Sequence, residues 1–306
     1  AGQWLHYRPM AESAVILLTA FEPSGDTLGA RFVEVWRQRQ PDTPVWAMGG
    51  PKMEAAGAAI IERTTDKAVM GAGAISHARL HHERVGRLRQ WIRDKTLIGH
   101  LPVDSPAANW AICKLVRQTQ PKARIAHLAA PQLWAWAPWR IKKMRRLSDH
   151  VMCLLPFEPE WFSSRGMPGT FVGHPMFDSP QPTSIGNLPD TRQPRLAFLP
   201  GSRAGEIHRN WPTMVAAWRS LRSNGIDAMA GVAAVDDAAA KSLLSHACMA
   251  EYNHQWPADM HVLTGQADQV IHWADAVLVV SGTATLQVAR QCKPMVVLYN
   301  ASRLTW

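Results

Sequence analysis

The sequence has four cysteines in 306 residues, Cys113, Cys153, Cys248 and Cys292, with no CxxC pair among them. That spacing gives no support to a zinc site or a thioredoxin-like motif. Buried, reduced thiols are the expectation, as in a cytosolic protein. Long apolar runs are missing too. The longest, such as Ala14–Phe21 and Ala276–Val280, fall far short of the ~20 residues a membrane span needs. The first is followed at once by Glu22-Pro23-Ser24-Gly25-Asp26, which does not read as a signal-peptide cleavage region. There is no Walker A loop, and no GxGxxG follows the first strand-like run, so an ATPase and a dinucleotide-dependent dehydrogenase are disfavoured. Acidic residues are in deficit, 24 Asp and Glu against 33 Lys and Arg, a net +9. The excess favours an acidic partner, whether nucleic acid, phosphorylated substrate or anionic membrane, without choosing among them.

What is present is a chain able to fold. Hydrophobic residues make up 47% and charged residues 19%, enough apolar material for a core and too little charge for disorder. The length suggests two domains. Trp is abundant, at 14 residues. An apolar body with one polar N–H beside basic residues suits a membrane interface.

Ala14–Ala20 reads as a buried parallel strand. A turn and a helical pattern through Leu28, Phe32, Val35 and Trp36 follow. The same beat recurs at Val45–Met48, at Ile98–Val103 with the helical Ala108–Gln118, at Ile125–Leu128 and at Val151–Leu155. Strands alternating with helices predict a mostly parallel, doubly wound α/β sheet. Five prolines between Pro175 and Pro194 resist helix and sheet, so a linker is expected at 179–194, dividing a domain at 1–178 from one at 195–306. The second domain opens with the strand Arg195–Leu199 and closes with strands Ala276–Val280 and Met295–Leu298. Another helix would be needed to cover the last strand, so the second domain is expected to be incomplete at its C-terminus; Ala1 in place of Met raises the same expectation at the other end.

In open α/β sheets ligands bind beyond the carboxyl ends of the strands, which singles out the loops there. Two domains facing each other would gather these loops around one cleft. Ser281-Gly282-Thr283 joins a strand to a helix, where free N–H groups and the helix dipole attract phosphate; a plain Ser or Thr N-cap reads equally well. Pro200-Gly201-Ser202-Arg203 repeats the logic with a guanidinium, a planar bidentate phosphate ligand, against the alternative of a solvated loop Arg. Asp104 follows a strand and can serve as a general base or merely cap a turn, and Asp26 has the same capping alternative. His77 and His81 have a metal-compatible i, i+4 spacing, but no acid accompanies them in a zincin-like arrangement, and with His82 they read as a solvated basic helix. Trp134, Trp136 and Trp139 precede the basic stretch Arg140–Leu147, whose Ile141, Met144 and Leu147 form a stripe. Contact with lipid phosphates and an ordinary amphipathic helix are both open. The basic segment His77–Lys95, with Leu80, Val85, Leu88, Trp91 and Ile92, poses the same choice.

Taken in order, these stretches resemble the lipid-A-disaccharide synthase family. The matching segments are EPSGDTLGA at 22–30, GGPKMEAAG at 49–57, VMG at 69–71, VDSPAAN at 103–109, APQLWAWAPWR at 130–140, LLPFE at 154–158, FVGHP at 171–175, LPGSRAGEI at 199–207 and SGTATLQ at 281–287. One such motif is weak; nine in order are specific, and the likeness covers nearly everything from Ala14 to Tyr299. The resemblance implies two facing Rossmann-like domains of the GT-B glycosyltransferase type. It implies inverting transfer of 2,3-diacylglucosamine from UDP to the 6-hydroxyl of 2,3-diacylglucosamine 1-phosphate, giving the β-1,6 lipid A disaccharide. No metal or other cofactor is implied. The family works as a peripheral protein on the cytoplasmic face of the inner membrane, which would make an anionic membrane surface the acidic partner.

By the same resemblance Asp104 is the general base. Arg203, with Ser202 and Glu206, belongs to the UDP-phosphate loop, and Ser281, Gly282, Thr283 and Gln287 to the loop beside it. Glu22, Ser24, Gly25, Asp26 and Asn109 belong to loops facing donor or acceptor. Trp134, Trp136, Trp139 and Arg140 are the expected membrane contact. Three positions depart from the family pattern: Phe21 stands for Gly, Ala74 for an acid, and Gln287 for Glu, which keeps an acceptor oxygen but loses the charge. The alternatives are another UDP-sugar enzyme of the same fold, such as an epimerase, and a non-catalytic lipid or nucleotide binder. A nucleic-acid partner is disfavoured because no recognisable module for one is present.

Overall fold

The computed structural model describes residues 14–65, 74–178 and 180–300, with the backbone alone for 74–78. The VMG segment at 69–71 and the side chains of Ala74 and His77 therefore lie outside the described residues. The chain divides into two compact units, Ala1–Pro175 and Met176–Trp306.

The first unit holds seven strands: β1 (Ala14–Thr19), β2 (Val45–Gly49), β3 (Ala59–Arg63), β4 (Thr96–Pro102), β5 (Arg124–Leu128), β6 (His150–Cys153) and β7 (Gly169–Phe171). They form one parallel sheet in the order β3-β2-β1-β4-β5-β6-β7. The order reverses between β1 and β4, and because the crossovers keep one hand, the helices before and after the reversal cover opposite faces. Helices α1 (Pro23–Arg39) and α2 (Pro51–Ala55) bury Leu28, Val33 and Met53 against one face. Helices α3 (Ala74–Arg93) and α4 (Pro106–Thr119) bury Leu88, Ile92, Ile112 and Val116 against the other. Buried on both faces, β1 is apolar up to Thr19 at its end, with Leu17 and Leu18 fully covered. Each such side chain contributes about 1.5–3 kcal/mol.

The second unit has β8 (Arg195–Leu199), β9 (Met229–Ala234), β10 (Met260–Thr264), β11 (Ala276–Val280) and β12 (Met295–Leu298), parallel in the order β10-β9-β8-β11-β12. Its helices are α8 (Ala204–Ser223), α9 (Asp237–Ser245), α10 (Ala267–Trp273) and α11 (Thr283–Arg290), while α5 (Leu133–Trp136), α6 (Ile141–Leu147) and α7 (Glu158–Ser163) belong to the first unit. The order again reverses, here between β8 and β11. Trp211 and Trp218 of α8 fill one face and Trp273 of α10 the other. The proline-rich stretch is neither helix nor strand from 180 to 193, yet it is not loose. Leu188 is buried in the second core, and the Trp273 indole N–H donates to the Pro189 carbonyl at 2.7 Å.

One expectation changes, and one open choice narrows. The thiols are not uniformly buried: Cys113 and Cys153 are, but Cys292 is exposed. The stripes on the two basic segments face inward. Ile141 and Met144 of α6 (Ile141–Leu147) and Leu88 and Ile92 of α3 are buried in cores, because a helix docked on a sheet spends its apolar face there. Among the described residues no helix is long and apolar enough to cross a membrane.

Candidate functional site

In each unit the strand order reverses once, and the crevice outside the strands' carboxyl ends at such a point is the standard ligand position in such sheets. The predicted site residues fall into these two places and one further surface.

In the first unit the crevice lies past β1 and β4. Pro23 starts α1 with Glu22 as an extended N-cap that makes no side-chain cap of its own. Gly25 is buried because α1 passes close to the β4 end: an added Cβ would meet Ala20 Cβ at 3.1 Å and Val103 Cγ1 at 3.6 Å. Past β4, Asp104 and Ser105 have φ of 46° and 38°. Left-handed backbone at a non-glycine residue costs roughly 1–3 kcal/mol, and such residues cluster at functional sites. The turn is held firmly. Asp104 N–H donates to the Leu128 carbonyl at 2.9 Å, and the Asp104 carbonyl accepts Asn109 Nδ2 at 2.8 Å. The Asp104 carboxyl is half-buried, and burial raises its pKa above the ordinary carboxylate value; the Ser105 N–H pulls it down and the nearby Glu22 charge pushes it further up. Ser105 Oγ lies 3.5 Å from Glu22 Oε1. A carboxylate in this state is a stronger base than one in water.

Ser24 is exposed at the first turn of α1. Asp26 and Asn109 are fully or nearly fully buried and spend their polar atoms inside the protein. The Asp26 carboxylate accepts the N–H of Gly50 (2.9 Å), Lys52 (3.0 Å) and Met53 (3.1 Å), fixing the start of α2. Both were expected in loops facing substrate; their atoms order those loops from behind. Thr19, His100 and His127 also sit under the Asp104 turn and were not singled out from sequence. The available signal was a His inside each of two apolar strands, TLIGHLP and RIAHL.

In the second unit the loops after β8 and β11 stand on adjacent strands, with Leu199 in register with Val279. Gly201, at φ 104°, turns the chain into α8. Glu206 folds back onto the N–H groups of Ser202 and Arg203 at 3.2 and 3.3 Å, and Arg203 Nη1 reaches it at 2.9 Å. Ser281, Gly282 and Thr283 are exposed. The N-cap of α11 is Gly282 with no side-chain cap, so the simple Ser or Thr cap is not what the chain forms there. Gln287 lies half-buried on α11.

The third surface follows β5. Trp134 lies in α5 (Leu133–Trp136); its indole N–H donates to buried Glu158 at 3.1 Å, at the start of α7 (Glu158–Ser163). Trp136 and Trp139 are 55% and 67% exposed, with Phe157 at 48%. Arg140 stacks on Trp136, 4.5 Å from the ring centre, and Lys143 sits 4.6 Å over Trp110. Aromatics carrying cations on their faces suit the boundary between water and apolar chains. Among the described residues no group of three or more His, Cys, Asp or Glu could hold a metal ion.

The family model for lipid-A-disaccharide synthetase matches residues 16–306. The lipid-A-disaccharide synthase of Granulibacter bethesdensis is 33% identical, with 95% of this chain and 74% of the relative covered. That of Xanthomonas campestris is 33% identical, with 95% and 67% covered. Among solved structures, the UDP co-structure of S. aureus MnaA superposes with a TM-score of 0.64 at 12% identity, covering 94% of this chain and 80% of that one. The Neisseria meningitidis UDP-GlcNAc 2-epimerase bound to UDP-GlcNAc gives 0.61 at 11%, covering 96% and 84%. At such identities the likeness is one of fold.

Proposed function

The chain belongs to the lipid-A-disaccharide synthetase family, and from that premise we propose which of its residues carry the transfer. The protein is a glycosyltransferase that forms the lipid A disaccharide. Its donor is UDP-2,3-diacylglucosamine and its acceptor 2,3-diacylglucosamine 1-phosphate.

Asp104 removes the proton from the acceptor 6-hydroxyl as that oxygen bonds to the donor's anomeric carbon. The bond from that carbon to the UDP oxygen breaks, UDP leaves with the electron pair, and the anomeric centre inverts. Arg203, with the N–H groups around Ser202 and at Ser281–Thr283, takes up the charge growing on the diphosphate through charge-assisted hydrogen bonds. Gln287 is an acceptor for the donor's ribose hydroxyls. The observation that carries this reading is the carboxylate of Asp104, raised in pKa and held on a left-handed turn at the reversal of strand order.

Trp136, Trp139 and Phe157, flanked by Arg140 and Lys143, dock on the anionic cytoplasmic face of the inner membrane, where both lipid substrates reside. The exposure of these rings and the net charge of +9 support that placement. Mass spectrometry of the products from the two lipid substrates tests the whole reading: a β-1,6 disaccharide phosphate and free UDP are expected. Turnover of UDP-GlcNAc alone to an epimer, without disaccharide, would assign the fold's other chemistry instead.

A further inference from the structure

Beneath the Asp104 turn lies a row of polar side chains that the proposed chemistry leaves unused. Thr19, His100, Asn109 and His127 are each at most 1% exposed. Burying polar groups is unfavourable unless hydrogen bonds offset the lost hydration, so their arrangement calls for a reason.

The hydrogens in this row can be assigned by elimination. Asn109 Nδ2 donates its two hydrogens to the carbonyls of Val103 (3.0 Å) and Asp104 (2.8 Å). Its Oδ1 is thus the acceptor for the Thr19 hydroxyl at 2.6 Å. Thr19 has one hydrogen to give, so its oxygen accepts from His100 Nε2 at 2.8 Å. Burial holds the His100 pKa at about 3, so the ring is neutral and its Nδ1 bears no hydrogen. The Cys113 thiol, pushed up by burial to about 12, keeps its hydrogen and points it at that nitrogen, 3.9 Å away. Every donor therefore runs one way, from Cys113 to the Asp104 carbonyl. A second arm ends on the same atom: His127 Nε2 lies 3.2 Å from it. Burial keeps His127 neutral as well, with a pKa of about 4. A carbonyl only accepts, so Nε2 bears the hydrogen.

We propose that Thr19, His100, Asn109 and His127 are positioning residues for the transfer: two converging arms of hydrogen bonds lock the Asp104 carbonyl and thereby aim its carboxylate. The inference rests on Asp104 as the base. The arms are needed because Asp104 and Ser105 both sit at positive φ, a conformation their own backbones disfavour. Without the buried donors the carbonyl turns toward water, the turn relaxes and the carboxylate swings. A displacement of about 1 Å in such a group can slow a reaction on the order of 100-fold.

Thr19→Val removes the hydroxyl at nearly constant volume and breaks the first arm, Thr19→Ser retains it, and His127→Phe removes the second arm alone. The measurements, on the full chain, are kcat, UDP affinity by calorimetry and the acid limb of the kcat–pH profile. Thr19→Val and His127→Phe are expected to lower kcat roughly 10–100-fold while UDP affinity holds within about twofold, and Thr19→Ser to stay within about threefold of the parent. The acid limb should move to lower pH in the two damaged variants, because a loosened turn lets water reach a carboxylate whose pKa burial had raised. The groups acting on it are Glu22 from the β1–α1 loop and the Ser105 N–H; the neutral His127 from β5 meets the Asp104 carbonyl instead. If the two variants fold with the parent's kcat and acid limb, or if Ser and Val at 19 lose activity equally, the proposal fails. Should Thr19→Val not fold, His127→Phe decides alone, since it leaves the Thr19 arm intact. An active Asp104→Asn would overturn the base assignment itself; an inactive one beside unaffected Thr19→Val and His127→Phe overturns only this inference.

Discussion

The Glu206 carboxylate lies against the backbone N–H groups of Ser202 and Arg203 and takes the Arg203 guanidinium at 2.9 Å. It is an anion resting at the N-terminus of the 20-residue helix α8, where a phosphate is best accommodated. Glu206 therefore orders the loop and would compete for its donors with a diphosphate bound as proposed. Glu206→Gln, which keeps an acceptor and removes the charge, should tighten UDP binding; a weaker complex in calorimetry would make Glu206 a direct ligand instead. Arg203→Ala should weaken UDP binding by roughly 1.5–3 kcal/mol, the range for a hydrogen bond to a charged group.

Asp104→Asn preserves shape and abolishes the base. Turnover should fall by roughly 10²–10⁴ with UDP affinity unchanged. Stability should move the other way. The folded-state pKa is raised, so the carboxyl's contribution to stability is present below the ordinary carboxylate pKa and is lost as pH rises through the folded value. The Asn variant should accordingly melt higher than the parent near neutral pH, with the gap closing in acid. A variant that is both inactive and less stable at pH 7 would point to a structural part for Asp104.

Glu22 raises the Asp104 pKa by its charge. Glu22→Gln should shift the acid limb of the kcat–pH profile to lower pH, since the base then loses its proton more readily. An unmoved limb would show that Glu22 and Asp104 are not coupled in the working enzyme.

Much of this was legible beforehand. Three strands of the second sheet, Arg195–Leu199, Ala276–Val280 and Met295–Leu298, were readable to the residue because short, largely apolar runs bounded by turns leave little choice. β9, as MAGVAA, carries too much Ala and Gly to announce itself, and β7 is only three residues. The loops of the candidate site stood out because their residue types fit chemistry at strand ends. Burial did not show. Nothing local distinguishes Asp26, turned inward to cap α2, from Asp104, left half-buried on a strained turn. That difference comes from which helix docks beside each.

Asp26 supplies a separate test. It is 2% exposed, and its oxygens accept three backbone N–H groups. An added Cβ on Gly50 would meet Asp26 Oδ2 at 2.6 Å, so the two are packed without slack. Asp26→Ala leaves buried donors unpaired and should cost on the order of 1–3 kcal/mol of stability per group not rescued by water. Denaturant unfolding measures this; a loss of UDP affinity without a loss of stability would return Asp26 to the role of ligand.

The membrane assignment separates cleanly from folding. Trp136 and Trp139 are largely exposed, with Arg140 over the Trp136 ring, whereas Met144 of α6 is fully buried. Trp136→Ser with Trp139→Ser should leave the melting temperature nearly unchanged and weaken binding to anionic vesicles. Burying one large apolar side chain is worth about 1.5–3 kcal/mol, so the pair should lower partitioning by at least tenfold. Met144→Ala should do the opposite, costing about 2–5 kcal/mol of stability through a core cavity and sparing vesicle binding in the fraction that stays folded. Arg140 and Lys143 act through charge, and exposed charges are screened over ~10 Å at 0.1 M salt. Binding of the parent should therefore fall as salt rises, but not to zero, because the ring contribution is insensitive to screening. Cosedimentation with vesicles of mixed anionic and neutral lipid, across a salt series, reads both parts at once. No binding at low salt, or binding indifferent to the two Trp substitutions, would move the membrane contact to another face.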